Sequence, residues 1–190
     1  GGFFSGQSLS ATPGADCPGA AATACVVGSP SASLSLDGTS PDTVITSDSA
    51  NPTSPVLSGS PTFNGPIALV FSDDQFGVGF DGGFFDAMAS TAITAFSRDG
   101  TVLGSVANEG TGIEFLGLVS DQADIAGVFL DLIGSEPAGF AIDNLRFGER
   151  GQVINPEDPN VIPLPAAGWL LIGALGGLGA LSRRRTKALT

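Results

Sequence analysis

Residues 91–106 have the sequence TAITAFSRDGTVLGSV, which is the clearest indication of the fold. Two runs of apolar and β-branched residues, 91–97 and 101–106, flank Arg98-Asp99-Gly100. An Asp-Gly pair between two such runs is typical of a hairpin turn, because Gly adopts a positive φ without steric cost. The stretch therefore predicts an antiparallel pair of strands.

The same pattern continues on both sides of this hairpin. Residues 67–71 form an apolar run, and Phe76, Val78 and Phe80 alternate with Gly, so they share one strand face. Further strands are predicted at 112–119, 125–132 and 138–147, with shorter alternations at 33–36 and 43–46 in a loop-rich region, 28–66. Because no ten-residue segment before the C-terminal tail has a helical period, we predict an all-β body, an antiparallel β-sandwich of the jelly-roll kind.

The composition excludes several classes of enzyme and partner. The chain has 190 residues, no His, two Cys and a net charge of −12, from 19 acidic and seven basic residues. Without imidazole there is no Ser-His-Asp or Cys-His machinery and no zinc site of the His-containing kinds. A polyanionic surface repels phosphate backbones, so we expect no nucleic acid partner.

The charge is divided unevenly along the chain. All 19 acidic residues lie at or before Asp158, together with only three Arg, so this body has a net charge of −16. The stretch 161–181 has no ionisable side chain. The basic residues that follow it are Arg183, Arg184, Arg185 and Lys187. An uncharged stretch between an acidic body and a basic tail indicates a membrane-spanning helix.

We predict this single transmembrane helix at residues 166–181, AAGWLLIGALGGLGAL. These residues would measure about 24 Å as a helix, so Ile162 to Pro165 would supply the remaining depth of a hydrocarbon core of about 30 Å. Trp169 lies near the upstream end, where aromatic side chains favour the headgroup region. By the positive-inside rule the C-terminus is cytoplasmic and the acidic body is outside. The alternative, a buried helix of a soluble domain, does not account for the basic cluster.

Three ordered elements at the C-terminus resemble a known sorting signal. Ile162-Pro163-Leu164-Pro165-Ala166 precedes a Gly/Leu-rich span, and Arg-Arg-Arg follows that span. This order is similar to the PEP-CTERM class in its VPLPA variant, with Ile162 where the variant has Val. In that family an exosortase-type membrane protease recognises the motif and processes the protein. Two prolines disfavour helix at Ile162 and Leu164, and an extended segment is what a protease cleft binds.

The resemblance implies a location and a domain organisation. The hosts of this family are Gram-negative bacteria that secrete extracellular polysaccharide, so we expect a single-pass protein of the cell envelope. Whether processing releases the protein to the surface or matrix stays open. Residues 1–4 have no initiator Met, basic region or apolar region, so we expect a mature or truncated chain that has lost its signal peptide. The predicted parts are an N-terminal segment at 1–30, the ectodomain at 31–150, a linker at 151–161 and the sorting signal at 162–190, comprising the motif 162–166, the span 166–181 and the basic tail 183–187.

The two cysteines fit an exported protein. Cys17 and Cys25 can close a short loop in an oxidising compartment, and we predict a disulfide between them. The alternative is two unpaired thiols that act as small apolar side chains. Two Cys without further Cys or His make a metal site unfavourable.

The end of the body suggests a metal site. The segment 139–148, GFAIDNLRFG, resembles the final strand of jelly-roll ectodomains in PEP-CTERM proteins, where an "IDN-hydrophobic-R-F" pattern ends the domain. In related carbohydrate-binding jelly rolls an acidic residue of this strand helps hold structural Ca²⁺, and by position this residue is Asp143. Calcium needs six to eight oxygen ligands, so other carboxylates must contribute. The candidates are Asp73, Asp74, Asp81 and Asp86. The alternative is that these residues lie in turns and on solvated faces.

Catalysis is not expected of this chain. Glu109 with Glu114, or Asp81 with Asp86, could supply the two carboxylates of a glycosidase, but nothing distinguishes them among 19 acidic residues. There is no G-x-S-x-G motif and no dinucleotide-binding fingerprint. We therefore predict no enzymatic activity and no cofactor other than the calcium considered above.

Two functions remain for the ectodomain. The first is a structural or interaction role in the envelope or biofilm. The second is a carbohydrate-binding module, and whether its binding requires calcium stays open. Sugar-binding surfaces present aromatic side chains, yet the one Trp lies in the tail, Tyr is absent, and the 13 Phe are expected in the core, apart from a loop at Phe84 and Phe85. This favours the structural role. The expected partners are an exosortase-type protease, the lipid bilayer and extracellular polysaccharide.

Overall fold

The computed structural model describes residues 1–10 and 25–152, and within them the chain is all-β with no helix. The chain divides into two units, Gly1–Val153 and Ile154–Thr190, of which the second lies outside the described residues. The strands are β1 Ser8–Leu9, β2 Val26–Val27, β3 Val44–Thr46, β4 Val56–Ser58, β5 Ile67–Gln75, β6 Gly77–Phe85, β7 Thr91–Phe96, β8 Val102–Ala107, β9 Gly112–Val119, β10 Ile125–Leu132 and β11 Ala141–Gly148.

The described strands form antiparallel sheets. The strands β1 and β2 pair with each other, a four-stranded sheet has the order β5-β10-β7-β8, and a five-stranded sheet has the order β3-β4-β11-β6-β9. From β4 to β11 the chain moves to the other sheet at every connection except β7–β8. The hairpin predicted at 91–106 is thus the one place in this series where consecutive strands pair.

Side chains of both large sheets share one hydrophobic core. Val128 and Leu130 of β10 are fully buried, and so, to within 2 %, are Phe80 of β6 and Ile142 of β11. Side chains of a strand alternate between its two faces, so each of these strands turns one set of residues toward the shared core. This arrangement is consistent with a β-sandwich.

The opposite face of the four-stranded sheet is covered by the N-terminal residues. Phe3, Phe4 and Leu34 pack in a second hydrophobic cluster with residues of this sheet, among them Phe96 and Phe129. The Phe4 and Phe96 rings meet edge to face with centroids 5.5 Å apart. Residues of β5, β7 and β10 are therefore covered on this side, and all eight residues of β10 are buried, whereas β8 at the edge of the sheet has no buried residue.

The turn between β7 and β8 has the predicted Asp-Gly geometry. Gly100 has a φ of +83°, and Ser97 and Thr101 are joined across the turn by a backbone hydrogen bond of 2.9 Å. The Ser97 hydroxyl and the Thr101 N–H donate to the Asp99 carboxylate, and these hydrogen bonds, that of Ser97 first, hold the pKa of Asp99 below its ordinary value. The prediction of a hairpin here is confirmed.

The predicted strands agree with the structure best where the apolar pattern is long. β9 and β10 have the predicted bounds, whereas β5 extends through polar residues to Gln75 because its backbone still pairs with Ile125 of β10. The short strand β4 was expected to be loop; it pairs with β3 and β11, which supply the partners that its sequence does not indicate. In the predicted alternation at 33–36, Leu36 forms only an isolated bridge with Phe4.

Candidate functional site

The predicted sorting signal lies outside the described residues. This holds for the motif Ile162 to Ala166, for Trp169 and for the basic residues from Arg183 to Lys187. No helix in 1–10 or 25–152 is long and apolar enough to cross a membrane. Cys25 is 1 % exposed and disulfide-bonded, whereas its predicted partner Cys17 lies outside the described residues, so the pairing of these two residues stays a prediction.

The carboxylates proposed for calcium are distributed over three strands. Asp73 and Asp74 lie on β5, and Asp74 pairs with Arg98. Asp81 of β6 and Asp143 of β11 are cross-strand neighbours. Within the described part of the chain, no group of three or more Asp, Glu, Cys or His side chains is placed to hold a metal ion. Of the predicted ligands, the fold brings together only Asp81 and Asp143.

The outer face of the five-stranded sheet has a cluster of polar and aromatic side chains, here called the Phe115 cluster, formed by Asp81, Phe115, Asn144 and Arg146. The Asn144 side-chain amide donates to Asp81 Oδ2 over 2.8 Å, and the Arg146 guanidinium lies 3.8 Å from the same oxygen. The guanidinium carbon is also 5.4 Å from the centroid of the Phe115 ring. The motif that resembles a family signature therefore contributes two members of this cluster.

Backbone geometry on β11 and β6 positions the Phe115 cluster. The register of β11 against β6 shifts between Asp143 and Arg146, and Asn144 has a φ of +51°, a left-handed conformation that Asn tolerates better than most residues. The Phe115 ring approaches Gly79, where a Cβ would collide with its Cζ atom. The glycine thus leaves room for an aromatic ring against the sheet.

A concave site lies where β6 ends and β11 begins, and we call it the end pocket. Its volume is about 290 Å³, close to the lower limit for small-molecule sites. The residues that line it are Asp48, Ala50, Phe63, Gly83, Phe84, Asp86, Ala138, Gly139 and Phe140. The lining residues include two phenylalanines outside the core, Phe63 and Phe84, and two acidic residues, Asp48 and Asp86, but no basic residue, whereas the side chain of Phe140 is buried in the core.

The two adjacent phenylalanines of β6 have opposite surroundings. Phe84 is 46 % exposed and lines the end pocket, whereas Phe85 is 1 % exposed and belongs to the core between the sheets. Of the 13 Phe, nine are buried, so the expectation that Phe builds the core holds for most of them. Phe84, Phe115 and Phe147 are the exposed exceptions, with 46–57 % of their surface accessible.

A buried carboxylate supports one wall of the end pocket. Glu136 is fully buried, and it accepts hydrogen bonds from the backbone N–H of Asp86 at 2.8 Å, from that of Ala87 at 3.2 Å and from the Ser90 hydroxyl at 2.6 Å. Asn108 joins the same network through its side-chain oxygen, which accepts from the Ser90 N–H. A buried carboxyl group is tolerated when it is hydrogen-bonded in this way, and such a network makes the loop more rigid.

The carboxylate pairs considered for catalysis have different surroundings. Glu114 accepts hydrogen bonds from the backbone N–H groups of Glu109 and Gly110, at 2.8–3.2 Å, so its carboxylate braces the turn before β9. Asp81 belongs to the Phe115 cluster, and Asp86 lines the end pocket. Asp81 and Asp86 therefore belong to different sites, and the Glu114 carboxylate is engaged by backbone N–H groups.

Sequence patterns did not indicate Glu136 or the exposure of Phe115. Glu136 lies in a loop rich in turn residues, where an acidic side chain is ordinarily solvated, and only the approach of residues about 50 positions earlier buries it. The available signal for Phe115 was Gly117 on its own strand and Gly79 on the neighbouring strand β6, because an aromatic side chain can lie against the sheet where glycines have no side chain. No family model, no curated protein and no solved structure matches the chain.

Proposed function

We propose that the chain is an exported protein of the cell surface or extracellular matrix, anchored by its C-terminal segment and processed there by an exosortase-type protease. The observation that carries this proposal is the order of three sequence elements, the Pro-containing motif at 162–166, the uncharged span at 166–181 and the basic tail from Arg183. The host, on this proposal, is a Gram-negative bacterium, and the acidic body lies outside the membrane.

We infer further that the ectodomain is a jelly roll. Counted as eight strands from β4 to β11, the sheets have the orders 1-8-3-6 and 2-7-4-5, which is the pattern that two interlocked Greek keys produce. The hydrophobic cluster that both sheets share supports the same inference. Because a jelly roll hosts many functions, the fold by itself selects none of them.

The role proposed for this ectodomain is structural or interactive and not catalytic. The carboxylate of Glu114 is engaged by backbone donors, and Asp81 is engaged by Asn144. These interactions support a role other than hydrolysis of a glycosidic bond, because they engage carboxylates of the two pairs considered for it.

The experiment that tests the sorting proposal is an intact-mass measurement of the protein recovered from its native envelope. A polypeptide that ends near Pro165 supports recognition and cleavage at the motif, and a matched variant with Ala at 163 and 165 should then retain its full tail. Recovery of the uncut chain in solution without detergent, or a topology reporter that places the body in the cytosol, would contradict the proposal.

Carbohydrate binding is the second candidate function, and the end pocket favours it. An exposed aromatic ring beside carboxylates, in a cavity large enough for one ring-shaped ligand, is an arrangement suited to a sugar. A glycan array, probed with the full chain in detergent, tests this candidate. Repeating the array with EDTA distinguishes calcium-dependent from calcium-independent binding, and the absence of binding under both conditions leaves the structural role alone.

A further inference from the structure

The end pocket has the charge and the lining of a site for an organic cation. We propose that it binds a saccharide unit that has a protonated amino group, so that the body recognises an amino sugar with a free amine. This inference rests on carbohydrate binding as the second candidate function, and it specifies the class of sugar that binds. It depends on three features of the pocket: its carboxylates, its aromatic rings and its supported wall.

The charges around the pocket favour a cation. Asp48 and Asp86 are its two ionisable lining residues, and the whole body has 19 acidic residues against three Arg. Each of these Arg has contacts elsewhere: Arg98 pairs with Asp74, Arg146 lies in the Phe115 cluster, and Arg150 is stacked over Phe76. An anionic polysaccharide would find no counter-charge in the pocket and would meet a polyanionic surface, whereas an ammonium group is attracted by both.

The aromatic rings favour the same group. Phe84 is 46 % exposed and lines the pocket together with Phe63, whereas the Phe140 ring is buried in the core. The face of an aromatic ring is electronegative and attracts a cation within about 6 Å of its centroid. The same face attracts the C–H groups of a pyranose ring, which have a slight positive charge. One residue type thus serves both the amine and the ring of an amino sugar.

The lining and the size of the pocket favour a cyclic organic ligand over a metal ion or a linear chain. Calcium takes six to eight oxygen ligands, but no metal-binding group of three acidic side chains occurs in the described part of the chain. A cavity of about 290 Å³ with rings on its walls is wider than the four-carbon stem of a lysine side chain requires. A cyclic ligand fills this space better than a linear one.

The wall that contains Asp86 is held in place before any ligand arrives. The hydrogen bonds from the Asp86 and Ala87 N–H groups to Glu136 anchor the loop, while the Asp86 side chain itself stays exposed. Binding therefore does not have to order this part of the chain, which reduces its entropic cost.

The test is calorimetric titration of the full chain in detergent with two oligosaccharides that differ in one group. The first is a β-linked glucosamine oligomer, and the second is the same oligomer fully N-acetylated. We expect the free amine to bind at least about tenfold more tightly than the neutral amide, because only the former interacts with the carboxylates and as a cation with Phe84. We also expect its affinity to fall as salt increases.

Matched variants locate the binding. Phe84→Ala and Asp86→Asn should each weaken binding of the glucosamine oligomer by roughly 3- to 10-fold. Their controls, Phe115→Ala and Asp73→Asn, remove an equally exposed ring and an exposed carboxylate away from the pocket and should change it by less than about twofold. Circular dichroism during thermal unfolding verifies that all four variants are folded.

The outcomes separate this inference from the proposals on which it rests. Equal binding of both oligosaccharides would retain carbohydrate binding but overturn recognition of the amine. Binding of an oligolysine peptide and of neither sugar would overturn the saccharide in favour of a basic peptide. Binding that the controls weaken as much as the pocket variants would overturn the location. None of these results alters the intact-mass test of sorting and processing.

Discussion

The outer faces of the two large sheets are built in opposite ways. Phe3, Phe4 and Leu34 cover the four-stranded sheet, whereas the five-stranded sheet exposes the Phe115 ring, at 52 % accessibility, beside Gly79. β10 is accordingly buried along its whole length, while β9 has exposed residues at alternate positions. The difference indicates that the N-terminal residues contribute to the stability of the body, and that the open face is available for contacts without a cost in stability.

Truncation of the covering layer should have the largest effect on stability. Phe4→Ala removes a fully buried ring, and we expect a loss of about 3–5 kcal/mol in the free energy of unfolding. Phe115→Ala, on the open face, should cost less than about 1 kcal/mol. Denaturant titration followed by far-ultraviolet circular dichroism measures both, since the one Trp lies in the tail. Equal losses would show that the two faces do not differ as described.

A buried carboxyl on the covered side should make stability depend on pH. Asp131 of β10 is 8 % exposed, and its Oδ1 accepts the N–H of Leu132 at 2.8 Å. Burial raises the pKa of Asp131 to about 7, against the opposing effect of hydrogen bonds from the backbone of Leu132 and Val26. Between the ordinary value of 3.8 and about 7, the folded protein keeps a proton that the unfolded chain releases, so stability falls as pH rises through this window.

The variant Asp131→Asn lacks this titration. We expect the free energy of unfolding of the natural chain to fall by roughly 3 kcal/mol more than that of the variant between about pH 4 and pH 7. Asp73→Asn, an exposed acid on β5, is the control and should follow the natural chain. Parallel curves for the natural chain and Asp131→Asn would mean that Asp131 is ionised in the folded state throughout this range.

Added methyl groups should distinguish the two faces more finely. In Gly127→Ala the new Cβ would lie 2.6 Å from the Leu69 carbonyl oxygen and 2.8 Å from Leu34 Cδ2, so the covered side must shift, at a cost of about 1–3 kcal/mol. In Gly79→Ala the nearest atom belongs to the exposed Phe115 ring, which can rotate away, so we expect about 0.5–1 kcal/mol. Thermal unfolding of both variants shows which substitution destabilises the protein more. A larger loss of stability for Gly79→Ala than for Gly127→Ala would contradict the packing described.

The smallest effect is expected for the cation of the open face. Arg146 has a side chain 66 % exposed and lies 3.8 Å from Asp81, so Arg146→Gln should change the free energy of unfolding by about 0.5 kcal/mol or less. The same denaturant titration measures it, with and without added salt. A loss above about 2 kcal/mol would indicate that this face is covered and not open.

Part of the fold was predictable because local patterns report local structure. The Asp99-Gly100 turn and the apolar runs of β9 and β10 identify their elements without knowledge of their partners. β4 was not predictable in this way, because three residues carry too little pattern and its pairing comes from β3 and β11. The covering of β10 by Phe4 depends on contacts between residues more than a hundred positions apart, which periodicity does not record.

The candidate site was predicted less well than the fold. Phe84 was considered as an exposed ring, and it is exposed, but the cavity that it shares with Asp48 and Asp86 required four connections between strands to meet. Asp81 and Asp143 were grouped as calcium ligands with two residues of β5, and the structure places only this pair side by side. A list of acidic residues contains no information on which strands are neighbours.

The order and the composition of the residues were enough to predict a polyanionic body followed by an uncharged stretch with a basic end, and a body that is all-β in residues 1–10 and 25–152, where it is described. Which sheet face is covered, which residues form the end pocket and why Glu136 is buried beneath one wall followed from the three-dimensional fold. The physical reason is that burial and cavity formation depend on contacts between distant segments, and many arrangements of strands satisfy the same alternating pattern.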